Sequence, residues 1–133
     1  MLKSRRPRSV LGSLAVALSA LVSPSSVPAA SFHLALRRSD PAKDSILVKA
    51  PGAITLWFTQ KPEMAVTTIS VLDPRAAKVE MTPPRMDAAD DTKVIADVKG
   101  TLRPGVYIVQ WKTSSRDGHV IRGDFAFTVR APK

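Results

Sequence analysis

A chain of 133 residues without a single cysteine has room for one domain, and it excludes disulfide staples, a cysteine nucleophile and a cysteine-linked lipid anchor. Its formal charge is +9, from 20 basic and 11 acidic residues. The basic residues form no block with interleaved aromatics, so nothing favours nucleic acid as a partner.

Residues 1–30 have the layout of a secretory signal peptide. Lys3, Arg5, Arg6 and Arg8 make a basic start, Val10 to Val22 is apolar, and Pro24, Pro28, Ala29 and Ala30 supply the small residues of a cleavage region. The apolar run is shorter than the roughly 20 residues a bilayer span needs. Cleavage is expected near Ala29 or Ala30. That leaves a domain over 31–133, exported and not membrane-spanning. The leader takes four basic and no acidic residues with it, so the charge of the remainder falls from +9 to +5.

Downstream, the chain reads as short strands separated by prolines and glycines. A weak strand is predicted near Ser45 to Val48. Ile54 to Phe58 alternates, with Ile54, Leu56 and Phe58 on one face. Thr67 to Leu72 is β-branched and stops at Asp73-Pro74. A second weak strand is predicted near Lys78 to Met81, and Thr82 to Thr92 reads as a mobile loop. Lys93 to Val98 ends at Lys99-Gly100. Val106 to Thr113 puts Tyr107, Val109 and Trp111 on one face, and the last run turns Phe125, Phe127 and Val129 inward. With no helix-period segment after residue 30, the pattern predicts an all-β sandwich or barrel.

Nucleophile-and-base arrangements and glycine-rich phosphate loops are absent, so hydrolysis and phosphoryl transfer have no visible machinery. The joint between the last two runs carries Asp117-Gly118-His119. On an extended backbone, residues two apart point to one side, and a carboxylate with an imidazole is an N,O donor set that suits Cu(II) among other ions. The alternative reading is a plain Asp-Gly hairpin turn. His33 is the candidate third ligand if the N-terminal strand lies beside the closing hairpin; otherwise it is a solvated histidine. Met64, Met81 and Met86 are too loosely spaced to suggest a thioether site and read as gap-filling residues.

Taken together, these residues resemble the CopC family of periplasmic copper-binding proteins. The resemblance rests on Gly105, Tyr107, Val109, Trp111, Ser115, Asp117-Gly118-His119, Gly123, Phe125, Phe127 and Val129. Toward the front it rests on His33, Leu36, Ser39, Pro41, Ala50-Pro51, Leu56 and Phe58. It implies an immunoglobulin-like, seven-stranded Greek-key β-sandwich with a Cu(II) site at one end. In the family, a histidine at the mature N-terminus binds through its amine and ring, alongside the Asp and His of the DGH motif. Carried over, the ligands are His33, Asp117 and His119. Cleavage after Ala30 would leave Ser31-Phe32-His33 at the terminus, a sequence able to wrap Cu(II) in a square plane; cleavage after Ala29 would leave His33 its ring alone. Some members also hold Cu(I) in a methionine-rich loop, which this sequence lacks, so Cu(II) is the expected cargo.

The implied function is non-enzymatic: binding Cu(II) for copper resistance, buffering or delivery. The implied partner is a separate inner-membrane copper transporter of CopD type. Two alternatives stand beside it, a copper-dependent oxidase of polysaccharide-monooxygenase type and an immunoglobulin-like interaction module that binds no metal.

Overall fold

The computed structural model describes residues 33–133. The predicted signal peptide and its cleavage region lie outside the described residues. The strands, in chain order, are β1 (Leu36–Asp40), β2 (Ile46–Leu47), β3 (Ala53–Phe58), β4 (Thr68–Leu72), β5 (Arg85–Met86), β6 (Lys93–Asp97), β7 (Gly105–Ser114) and β8 (Val120–Val129), with one 3₁₀ turn at Met64–Val66. They form two four-stranded sheets, ordered β1-β3-β6-β5 and β2-β8-β7-β4. The architecture is therefore the β-sandwich expected from the sequence. Among the described residues, no helix is long and apolar enough to cross a membrane.

Alternation builds the core. Ile54, Leu56 and Phe58 of β3 and Val94 and Ala96 of β6 face inward from one sheet; Ile69 and Val71 of β4, Tyr107 and Val109 of β7, and Phe125, Phe127 and Val129 of β8 face them from the other. Each valine, leucine, isoleucine or phenylalanine among them, when fully buried, contributes about 1.5–3 kcal/mol. The rings of Tyr107 and Phe127, paired in register, stack with centroids 5.4 Å apart. The Tyr107 hydroxyl donates to the Arg103 carbonyl at 2.7 Å, tying the start of β7 to the turn before it. Burial raises the Tyr107 pKa above the ordinary phenol value.

Trp111 sits at the edge of this core. It meets Phe58 edge-on, centroids 5.6 Å apart. Its cross-strand neighbour is Gly123, where an added Cβ would lie 2.7 Å from the indole. Trp57 instead faces outward from the first sheet, and the Arg38 guanidinium of the neighbouring strand covers it at 3.7 Å. Such a cation–π contact is worth about 0.5–1 kcal/mol at an exposed site.

Two expectations change. The strand predicted near Lys78 to Met81 is only a pair of isolated bridges, Leu72↔Lys78 and Met81↔Val98. This stretch hands the chain from one sheet to the other, so it cannot pair continuously with either. The loop predicted over Thr82 to Thr92 contains β5, paired with β6. Arg85 anchors it through a two-pronged contact to Asp97, at 2.6 and 3.3 Å. Asp87 accepts the backbone N–H groups of Ala89 and Asp90, both at 3.1 Å, which closes the following turn.

Candidate metal centre

The turn between β7 and β8 is mounted on the longest ladder among the described residues. β7 and β8 pair from Gly105↔Val129 to Ser114↔Val120 without a shift in register. Residues 115–119 close the hairpin. Ser115 N–H donates to the His119 carbonyl and Gly118 N–H donates to the Ser115 carbonyl, both at 3.0 Å. Gly118 has φ +88°, a left-handed conformation that strains any residue with a Cβ.

The Asp117 side chain folds back into this turn. Its Oδ1 accepts the Ser115 hydroxyl and, at 3.2 Å, the His119 N–H. Its Oδ2 lies 3.5 Å from His119 Nδ1, and both side chains are largely exposed. The two donors thus converge through a turn and its Asp-to-backbone hydrogen bond, and not through strand alternation as the spacing had suggested. The Ser115 hydroxyl, and then the His119 N–H, hold the Asp117 carboxyl below the usual carboxylate range. The Asp-Gly turn and the donor pair are therefore one object.

His33 arrives from the other sheet. Its carbonyl accepts the Thr59 hydroxyl at 2.8 Å, while the same Thr59 oxygen accepts Ala35 N–H at 2.9 Å. Thr59 N–H returns a bond to the Ala35 carbonyl at 2.9 Å. Leu34, only 6% exposed, anchors this segment in the core. The result is a cavity of about 490 Å³ lined by His33, Asp117 and His119, with Gln60, Ser115 and Arg116 in its wall. Among the described residues, no three histidine or acidic side chains already converge as a finished metal cluster. His33 is exposed where it lines the cavity it shares with the other two.

The corner beneath is tied by hydroxyls. Thr67 donates to the Glu63 carbonyl at 2.7 Å, so the buried 2.7 Å contact between Thr67 and Thr113 is a donation from Thr113. Glu63 N–H donates to the Ser114 carbonyl at 3.0 Å, joining the 60–63 segment to the end of β7. An adjoining cavity of about 730 Å³ is lined by Met64 and Met86 and shares Gln60 and Arg116 with the first. Met64 and Met81 both pack against the core. The supporting residues Thr59 and Ser115 carry only neutral hydroxyls, and hydroxyls in loops leave no periodic signature. Only the position of Ser115 just before the DGH run hinted at a role.

Comparisons with known proteins agree with this architecture. The crystal structure of CopC from Methylosinus trichosporium OB3b superposes with a TM-score of 0.69 at 27% sequence identity, covering 76% of this chain and 97% of that one. Protein YobA of Escherichia coli (strain K12) is 30% identical over 123 residues, spanning 92% of this chain and 96% of its own length. Copper resistance protein C of Xanthomonas campestris pv. juglandis is 29% identical over 116 residues, spanning 83% of this chain and 91% of its own. The CopC domain model matches residues 36–130, which takes in Asp117 and His119 and begins just after His33. With that match running from the first strand to the end of the last, the chain belongs to the CopC family.

Proposed function

We propose that the protein binds Cu(II) in the periplasm, for copper resistance, buffering or delivery, and takes the ion on His33, Asp117 and His119. The observation that carries this reading is the single cavity that all three residues line. Two imidazoles and a carboxylate form an N,O donor set of the kind tetragonal Cu(II) prefers. Asp117 contributes negative charge where a cation would sit, and Ser115 and His119 N–H favour its ionised form. The relative named copper resistance protein C lends support at the level of the family.

In this reading residues 1–30 are a leader removed on export, and the mature chain passes copper to a separate inner-membrane transporter of CopD type. The role is to hold and release an ion, with no catalysed reaction. Titration of the exported protein with Cu(II) tests it: one equivalent is taken up tightly, and His119→Ala and Asp117→Ala each bind more weakly. Parental affinity in both variants would overturn the ligand assignment.

A further inference from the structure

The two oxygens of Asp117 differ in what surrounds them. Oδ1 accepts from both the Ser115 hydroxyl and the His119 N–H. A carboxylate oxygen offers two lone-pair positions, so these two donors fill it. Oδ2 faces His119 Nδ1 at 3.5 Å. Ser115 is itself held at both backbone ends, by His119 and by Gly118. Without the hydroxyl, only the 3.2 Å bond from His119 N–H would hold Oδ1, and the exposed aspartate would be freer to present either oxygen, or both.

We infer that Ser115 is a positioning residue for the metal, engaging Oδ1 so that Asp117 offers only Oδ2 to the ion; this rests on Asp117 being a ligand, as proposed above. The consequence is a preference among ions. One carboxylate oxygen beside an imidazole suits tetragonal N,O coordination. Calcium, which takes six to eight oxygens and often both of a carboxylate, gains little from it. Ser115 therefore contributes to selectivity as well as to affinity, although it never touches the ion.

The test compares Ser115→Ala, Ser115→Thr and Asp117→Ala with the parent, by Cu(II) competition titration, electron paramagnetic resonance and thermal unfolding of the metal-free protein. Ser115→Ala is expected to lose about 10–100-fold in Cu(II) affinity, as is typical when a partner of a metal ligand is removed. Its copper hyperfine coupling should also change, with metal-free unfolding close to parental. Ser115→Thr keeps a hydroxyl and should restore both affinity and spectrum. If Ser115→Ala binds and appears spectroscopically like the parent while Asp117→Ala is weakened, the positioning role is overturned and the ligand reading survives. If Asp117→Ala binds like the parent, the ligand reading falls and takes the inference with it. If Ser115→Ala lowers metal-free stability and Ser115→Thr does not rescue copper binding, Ser115 is only a structural residue of the turn, and the inference is again overturned.

Discussion

The hydroxyl of Thr59 donates to the carbonyl of His33 across 26 residues of sequence, at 2.8 Å. The same oxygen accepts Ala35 N–H, so one side chain clamps the leading segment to the end of β3. Thr59→Val keeps the shape and removes both bonds. Each is worth about 0.5–1.5 kcal/mol, and Ala35 N–H is left without that acceptor. The expected outcome is a folded protein with weaker Cu(II) binding and faster amide exchange at residues 33–35. Unchanged affinity together with unchanged exchange would show that the clamp does not hold His33 in place.

Tyr107 is the sole tyrosine, so tyrosinate absorbance reports it alone. Burial favours its neutral form and raises its folded pKa above the ordinary phenol value. A raised folded pKa means the native state keeps its proton longer than the unfolded chain. The resulting stability is fully present below the unfolded pKa and is lost as pH rises through the folded one. Alkaline titration should show tyrosinate appearing late and together with unfolding. Tyr107→Phe removes the bond to the Arg103 carbonyl and should cost about 0.5–1.5 kcal/mol. For a domain of this size that lowers Tm by about 4–8 °C for each kcal/mol lost.

Gly123→Ala places a methyl group against the Trp111 indole, where the ideal Cβ position is 2.7 Å from the ring. Overpacking of this kind costs about 1–3 kcal/mol. Thermal unfolding reads the loss, and a shift in tryptophan emission shows that the ring has moved away from Phe58. An unshifted emission and parental Tm would mean the two strands relax around the methyl group without strain.

Copper should dim tryptophan fluorescence mainly through Trp111. It lies on β7, the strand that leads into the 115–119 turn, whereas Trp57 faces outward from the opposite sheet beneath Arg38. Trp57→Phe is expected to keep most of the Cu(II)-dependent quenching and Trp111→Phe to lose most of it. The reverse pattern would place the bound ion on the other side of the molecule.

What could be read in advance depended on whether the physics leaves a period. β3, β7 and β8 face a core on one side and solvent or polar surface on the other, so their apolar residues alternate and the elements stand out. β1 is an edge strand with a register shift between Leu36 and Arg38, and its run of Leu, Arg, Arg, Ser and Asp shows no alternation. β5 is only two residues long and exists because β6 offers it an edge. At the site, the Asp and His of the turn were legible as donors because their chemistry is explicit. The Thr59 hydroxyl that holds the His33 carbonyl was not, since a serine or threonine in a loop has many equally ordinary uses, and Ser115 stood out only by its place two residues ahead of Asp117.

The candidate ligands hang from different layers of the sandwich. His33 is tied to Thr59, directly after β3, and Asp117 and His119 sit on the hairpin of β7 and β8. An ion gripping all three would act as a rivet between the two sheets at their open end. Loading would then register as mechanical stiffening as well as mass: at a free ion concentration 100 times Kd, linkage adds about 2.7 kcal/mol against unfolding. The empty and filled proteins would differ in how readily that end frays.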